Sequence, residues 1–313
     1  MIKIKKYIYS YQRTIAMGLL LILFTGCAHV SDSLHSVAAM AQKIAPNNKM
    51  IQQAARAAVL SADLTYSETG PMQETMLGYK ISAKMLSNYK TLAPDSPSSK
   101  YVTKVGRTVV QGSDSPYTFN SYIFIVLDAP KEVNAFAAPG GFIFITTGML
   151  DFLKNEDELA AIIGHEVGHV EKQHGIQSAG RENVIKLLSL LSTAGKDYAN
   201  NDPDTKALID FLYNKIEMAI VEKMRNGYSI EMEEEADKRS IAIANNLGYN
   251  TMALSHVLER YKEIKGTYGG AAYPKERGNS AKQYAKLISD GNFYLALAAR
   301  NKRFSRNTTL LSR

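Results

Sequence analysis

The chain of 313 residues contains a single cysteine, Cys27, which excludes an intramolecular disulfide framework and a metal cluster built from cysteines. Apolar runs are short: residues 15–26 form a run of 12, whereas a helix needs ~20 residues to span a bilayer. No internal repeat occurs near a period of ~34 residues, which excludes a tetratricopeptide array. At 45% hydrophobic and 21% charged residues the composition is globular, so collagen-like and wholly disordered proteins are excluded as well.

Positive charge dominates only at the N-terminus. The formal net charge is +7, but residues 1–26 hold four basic residues and no acid, which leaves 33 basic and 30 acidic residues in the rest. A balance this close to neutrality gives no reason to expect a nucleic-acid partner.

The N-terminus has the pattern of a secretory signal: a basic segment, 1–14, precedes the apolar run 15–26. Cys27 follows Phe-Thr-Gly, which resembles a bacterial lipobox, in which the cysteine is lipidated and becomes the mature N-terminus. The alternative is a chance or buried cysteine behind an uncleaved anchor. Ala28, rather than Asp, follows the cysteine and favours the outer membrane. The sequence therefore predicts a periplasm-facing envelope lipoprotein.

Secondary structure is predicted to be mixed, with helix in excess. Apolar residues recur at helical spacing over 72–92. The segments SYIFIVLD (121–128) and FIFITT (142–147) are rich in Ile, Val and aromatic residues and predict strands. From residue 150 onward the chain is expected to be mainly helical.

A candidate metal-binding helix lies within residues 155–175, NEDELAAIIGHEVGHVEKQHG. Asn155, followed three residues later by Glu158, is typical of a helix N-cap with its capping partner. Gly175 suits the position just after the helix.

His165 and His169 stand four residues apart, so on a helix they lie one above the other on one face. Two imidazoles in that arrangement can bind one Zn²⁺, and Glu166 beside them can act as general base, which is the H-E-x-x-H pattern. The apolar flanks argue against a solvated face, since burying these groups without partners would cost several kcal/mol. Gly164 and Gly168 would each cost a helix up to ~1 kcal/mol relative to Ala, so another backbone or a substrate is expected to pack against them.

A catalytic zinc needs a third protein ligand and an open position. The acidic run 229–237, SIEMEEEAD, opens a second helix. Glu233 and Asp237 lie four residues apart on its least charged stripe. We assign Glu233 as the third ligand and Asp237 as the acceptor that orients a ligating histidine through its other N–H. Glu235 lies one turn before Arg239, a favourable ion-pair spacing, and is expected on the exposed side.

His174 follows His169 by five residues, about 140° round a continuous helix, so it is not expected to join the same metal. It is expected to be a surface histidine near the helix C-terminus. Lys172 and Gly175 stand where a metzincin has its glycine and third histidine, which excludes that class.

Three motifs occur in order: NAFAAPGG at 134–141, followed by FIFITTGML; HEVGH at 165–169; and S-x-x-x-E-x-x-A-D at 229–237. Together they resemble the membrane-associated zinc peptidases of the HtpX, Oma and BepA/LoiP type, most of all the secreted bacterial lipoprotein branch. The resemblance covers roughly residues 70–265. It implies a predominantly helical α+β fold of the zincin type, with a small sheet whose edge strand flanks the H-E-x-x-H helix. It also implies one Zn²⁺ per chain, with Glu233 as the third ligand.

The resemblance further implies an edge strand at Asn134, Ala135 and Phe136, whose backbone pairs with an extended substrate. The periplasmic branch carries a His-Pro and then an Arg in a late loop, where this chain has Tyr273 before a proline and then Arg277. Tyr273 could ligate or donate through its phenol, or serve as a structural loop residue. It and Arg277 are candidates for oxyanion stabilisation or gating.

The expected division of the chain is a signal peptide (1–26), a tether with an N-terminal helical segment (27–70), a zinc metallopeptidase domain (71–265) and a C-terminal loop and helix packing on it (266–313). The predicted activity is endopeptidase cleavage of misfolded or misassembled envelope proteins, as quality control. Expected partners are those polypeptides and the membrane, through lipidated Cys27. The alternative is a lipid-anchored binding or assembly factor for outer-membrane proteins with a latched or inactive zinc site. A non-peptidase zinc hydrolase has no support, since nothing resembles a phosphate or nucleotide cradle.

Overall fold

The computed structural model describes residues 71–116, 118, 121–194, 203–261, 275–289 and 297–308. The chain divides into two compact units, residues 1–68 with 189–193, and residues 69–188 with 194–313. Apart from residues 189–193, the described residues belong to the second unit. The predicted signal peptide, Cys27 and the tether lie outside the described residues. Within the described ranges, no helix combines the length and the apolar character needed to cross a membrane.

Helices predominate in the described chain, and a small sheet accompanies them, as predicted. The helices are α1 (Pro71–Leu86), α2 (Pro97–Val110), α3 (Thr147–Phe152), α4 (Glu156–Glu171), α5 (His174–Ser178), α6 (Arg181–Ala194), α7 (Pro203–Asn226), α8 (Ile230–Asn246), α9 (Ala253–Tyr261), α10 (Lys275–Ile288) and α11 (Leu297–Thr308). The strands are β1 (Ile123–Leu127), β2 (Ala135–Ala138) and β3 (Phe142–Thr146). The two strands predicted from residue composition, β1 and β3, are confirmed.

The three strands form one mixed sheet in the order β1-β3-β2. β3 lies in the middle, is buried at every position, and pairs parallel with β1 and antiparallel with β2. Central strands of this kind are continuous apolar runs because both faces are covered, which fits the sequence FIFIT. β2 is therefore an edge strand, and it contacts α4.

The central helix α4 is buried along almost its whole length. Its N-terminus is capped as predicted, because the side chain of Asn155 accepts the backbone N–H of Glu158 at 2.9 Å. The side chain of Glu158 accepts the N–H of Lys154, at 2.8 Å, instead of closing a reciprocal box with Asn155. It also pairs with Arg260 of α9 at 2.6 Å. The start of the metal-binding helix is thus fixed by hydrogen bonds and by an ion pair to a distant helix.

Small residues bring α4 and α8 into close contact, as the two glycines predicted. A Cβ on Gly168 would lie 3.1 Å from the Cα of Ala236, and one on Gly164 would lie 3.3 Å from the Cα of Ser240. The hydroxyl of Ser240 also donates to the carbonyl of Ala161 at 2.6 Å. This close approach places the first turns of α8 beside the histidines of α4.

The end of α4 differs from the prediction. The helix ends at Glu171, with Lys172 as its C-cap, and Gly175 lies inside α5. The reversal occurs at Gln173, whose φ of 53° lies in the left-handed region. Residues other than Gly adopt that backbone conformation at an energetic cost. The prediction that Gly175 stands just after the helix is therefore wrong, and the chain turns two residues earlier.

Candidate metal centre

Three side chains from two helices converge on one point. The Nε2 atoms of His165 and His169 are 3.0 Å apart. Oxygens of Glu233 lie 3.3 Å from Nε2 of His165 and 3.7 Å from Nε2 of His169. A tetrahedral zinc with ligands at ~2.0–2.1 Å sets its ligand atoms ~3.3–3.4 Å apart, so these spacings and this donor set fit the ion. The structure thus brings together the three residues that the sequence assigned as metal ligands.

Glu233 reaches the histidines from the first turn of α8, which is capped by the side chain of Ser229. Its carboxylate accepts the backbone N–H of Tyr228 at 2.8 Å and pairs with Arg277 at 2.8 Å. Burial opposes ionisation, but the hydrogen bond with His165 and the charge of Arg277 outweigh it and hold the pKa of Glu233 well below its usual range. The carboxylate is therefore ionised, as a metal ligand must be.

Asp237 lies where the sequence placed it, behind His165. Its Oδ1 is 2.9 Å from Nδ1 of His165, which leaves Nε2 turned towards Glu233. Arg277 donates to both Asp237 oxygens, at 2.6 and 2.7 Å. Burial disfavours protonated His165, but its bonds to Asp237 and Glu233 prevail and raise the pKa of His165 to about 9. A carboxylate hydrogen-bonded to a ligating histidine fixes its tautomer and ring orientation.

Glu166 is buried beside the histidines and faces the same cleft. Burial raises the pKa of Glu166 to about 7, with Glu233 adding to the effect. A carboxyl group with such a pKa can both accept and release a proton near neutral pH. The cleft has a volume of about 80 Å³ and is lined by α4, β2, the end of α7 and the start of α8. That volume holds several water molecules.

His174 is the main correction to the sequence interpretation. It is fully buried rather than exposed, with Nδ1 2.8 Å from Nδ1 of His169 and Nε2 3.2 Å from Glu235. The helix ends at Glu171, so the 140° offset expected on a continuous helix does not apply to His174. The conclusion that His174 is not a fourth member of the ligand cluster still stands.

The predicted pairing within α8 is also wrong. Glu235 contacts Lys172 at 2.9 Å, as well as His174, instead of Arg239. Arg239 pairs with Glu171 at 2.7 Å and with Asp114 at 2.9 Å. Contacts between helices replace the i,i+4 pair because α4 and α8 lie so close together.

Tyr228 was missed by sequence reasoning. Its buried ring lies on His169, with centroids 4.4 Å apart and planes at 31°, and also contacts the ring of His174. Burial raises the pKa of Tyr228 above its usual range, so the phenol stays neutral. A position just before the cap of α8 is the only signal in the sequence, and it does not predict this contact.

The structure describes one of the two candidates for gating or oxyanion stabilisation, Arg277, but not the other, Tyr273. Arg277 is buried on α10 and its donors engage Asp237 and Glu233, which makes it a residue that positions the ligands. Tyr273 lies outside the described residues, as does Cys27.

The pairing register of β2 distinguishes between the predicted edge-strand residues. Asn134 accepts the N–H of Thr146 and donates to its hydroxyl, both at 3.0 Å, so the backbone of Asn134 faces β3. Because antiparallel strands alternate, Phe136 also faces β3, and the N–H and C=O groups of Ala135 and Ala137 point to the outer edge. Ala135 and Ala137 also line the cleft.

Fold and site together define a metallopeptidase domain of the zincin type: a buried helix with paired histidines, a glutamate from a second helix and an adjoining edge strand. A family model described as Peptidase family M48 matches residues 97–305, and the chain belongs to that family.

The chain is similar to curated proteins of two kinds. It is 25% identical over 175 residues to the mitochondrial metalloendopeptidase OMA1 of Bos taurus, which covers 54% of this chain and 32% of that protein. It is 24% identical over 183 residues to a putative beta-barrel assembly-enhancing protease of Vibrio cholerae, covering 56% and 35%. The beta-barrel assembly-enhancing protease of Escherichia coli is 24% identical over 191 residues, covering 60% and 37%. The chain thus spans about a third of the length of these relatives.

Proposed function

We propose that the chain is a zinc-dependent endopeptidase of the bacterial cell envelope that cleaves misfolded or misassembled envelope proteins. The convergence of His165, His169 and Glu233 beside Glu166 carries the proposal. Membership of a peptidase family supports the class of reaction.

His165, His169 and Glu233 would hold the ion, and Asp237 and Arg277 would keep two of these ligands in place. The chemistry supplied by bound zinc would be that of a Lewis acid, which would lower the pKa of water towards ~7 and polarise a carbonyl group. Glu166 takes the proton from the attacking water and delivers it to the leaving amine nitrogen as the C–N bond breaks. The burial that raises the pKa of Glu166 to about 7 suits it to both transfers.

The substrate would bind as an extended strand added to β2. The outward N–H and C=O groups of Ala135 and Ala137 are the hydrogen-bonding positions available for this, in place of the predicted Asn134 and Phe136. An extended polypeptide satisfies such an edge and a folded one does not, which favours unfolded chains as substrates.

The envelope location rests on the N-terminal signal and lipobox pattern ending at Cys27, and on relatives named for beta-barrel assembly. Other relatives are named as mitochondrial. The membrane contact through lipidated Cys27 and the misfolded polypeptides as partners belong to the same proposal. The alternative, a lipid-anchored binding or assembly factor with a latched or inactive zinc site, would bind zinc without cleaving a substrate. Tyr273, one candidate for the latch, lies outside the described residues.

The test is zinc content and casein cleavage of the full-length chain for wild type, Glu166→Gln and Glu182→Gln. Glu182 is an exposed carboxylate of α6 and serves as the matched control. We expect one zinc in all three, wild-type cleavage in the control, and a loss of more than about 100-fold in Glu166→Gln, the size of a general acid–base contribution.

The other outcomes each have a meaning. Wild-type cleavage by Glu166→Gln contradicts the role of Glu166. One zinc with no cleavage in any of the three supports the latched binding factor. No zinc in the wild type shows that the ligand assignment is wrong.

A further inference from the structure

His174 is a buried polar residue that the proposed reaction does not use. It begins α5, directly after the left-handed turn at Gln173, and none of its side chain is exposed. Both of its ring nitrogens face a polar atom: Nδ1 lies 2.8 Å from Nδ1 of His169, and Nε2 lies 3.2 Å from Glu235.

The orientation of His169 determines which ring nitrogens carry protons in the hydrogen-bonded series His169–His174–Glu235. Nε2 of His169 faces His165 and Glu233. In the proposed site this nitrogen would give its lone pair to the ion, and the proton of the neutral ring would then be on Nδ1. Only one proton fits between the two Nδ1 atoms, and His174 must therefore accept it. The proton of neutral His174 is then on Nε2, directed at the carboxylate of Glu235.

We propose that His174 is a positioning residue, which fixes the tautomer and ring orientation of His169 by accepting the Nδ1–H of that ligand. The inference rests on the proposed metal site. It adds to that site a second buried support, built from an imidazole, alongside the Asp237 carboxylate that supports His165.

Neighbouring side chains hold the hydrogen-bonded residues His169, His174 and Glu235 in place. Tyr228 covers both rings, with its centroid 4.4 Å from that of His169 and 5.8 Å from that of His174. Lys172 pairs with the other oxygen of Glu235 at 2.9 Å, which keeps this half-exposed carboxylate ionised and in place as an acceptor. Supports of this kind behind a ligating histidine typically change metal affinity by ~10–100-fold when they are removed.

The two amide replacements of histidine separate positioning from packing. Asparagine places its carbonyl oxygen where His174 has Nδ1, so it can still accept from His169. Glutamine is one carbon longer and reaches towards Glu235 instead. His256→Asn, at an exposed position on α9, is the matched control.

The experiment measures the Zn²⁺ affinity of the full-length variants by competition with a chromophoric chelator, and the visible absorption spectrum of the Co²⁺-substituted protein. We expect His174→Gln to bind Zn²⁺ ~10–100-fold more weakly with a shifted Co²⁺ spectrum. His174→Asn should stay within a few-fold of wild type, and His256→Asn should match it.

Equal losses in His174→Asn and His174→Gln, or wild-type affinity and spectrum in both, would overturn the inference. If neither variant folds, the Zn²⁺ affinity of Glu235→Ala is the deciding measurement, because a half-exposed residue can be replaced without unfolding the protein. A several-fold weaker Zn²⁺ affinity supports the inference, and an unchanged affinity overturns it. A wild-type protein that binds no Zn²⁺ overturns the proposed site together with this inference. Normal wild-type binding with unaffected variants overturns the inference alone.

Discussion

The two ends of α4 both carry buried charges but use them differently. At the N-terminal end three consecutive acids are buried, and each pairs with a different arginine from α9 or α11, at 2.6 to 2.9 Å: Glu156 with Arg303, Asp157 with Arg300, and Glu158 with Arg260. Negative and positive charges there balance one to one.

Around His165, the balance is different. Three buried carboxylates, Glu166, Glu233 and Asp237, lie near the histidines, and one buried guanidinium, that of Arg277, pairs with Glu233 and Asp237. If the histidines are neutral, as metal ligands must be, and all three carboxylates are ionised, the formal excess is two negative charges, which a divalent cation would neutralise. Burial, together with Glu233, raises the pKa of Glu166, as expected where negative charge is concentrated.

Buried charge alone therefore does not mark a functional site. The N-terminal acids are as buried as the site residues, yet their arginines neutralise each of them separately and stabilise the packing of distant helices on α4. What distinguishes the other end is an unbalanced charge and three ligand atoms directed at one point.

The largest expected effect is on Zn²⁺ affinity, which should depend on the charges at the C-terminal end of α4 and not on those at its N-terminal end. Glu233→Gln removes an anionic ligand, so Zn²⁺ affinity should fall by more than about 100-fold, beyond the usual loss from an outer support. Glu156→Gln, at the balanced end, should leave the affinity of the folded protein unchanged. Chelator competition on both variants measures this, and wild-type affinity in Glu233→Gln would contradict the ligand assignment.

The second effect is on stability. Glu158→Ala breaks the two-point contact with Arg260, at 2.6 and 2.9 Å, and removes the acceptor for the N–H of Lys154. Because Arg260 is partly exposed, we expect a loss of about 3 kcal/mol in the free energy of unfolding, the lower end for a broken buried pair. Urea unfolding measures it, with zinc content as the second readout. Loss of zinc from folded Glu158→Ala would mean that the two ends are coupled.

The parts of this site that sequence predicts are those fixed by local geometry. His165 and His169 follow from the helical repeat, and Glu233 and Asp237 follow from one face of one helix. His174 was misplaced because a helical wheel assumes that the helix continues, whereas α4 ends at Glu171.

Contacts between residues far apart in the chain are outside the reach of such patterns. Arg277 meets Asp237 across 40 residues, and the ring of Tyr228 meets His169 through the packing of two helices. No periodicity records which distant side chain faces a buried carboxylate. The two glycines of α4 are the exception, because their cost within a helix predicted a close neighbour.

The smallest expected effect tests that close approach. In an open helix, Gly→Ala would stabilise by up to ~1 kcal/mol. At Gly168 the new Cβ would lie 3.0 Å from Cβ of Arg239 and 3.1 Å from Cα of Ala236, whereas at Gly164 its nearest neighbour would be at 3.3 Å. Overpacking costs ~1–3 kcal/mol, so we expect Gly168→Ala to lose about 1 kcal/mol and Gly164→Ala to be near neutral. Because α8 carries Glu233, Gly168→Ala should also weaken Zn²⁺ binding a few-fold. Equal unfolding free energies and Zn²⁺ affinities in the two variants would mean that α8 can shift without disturbing the ligand.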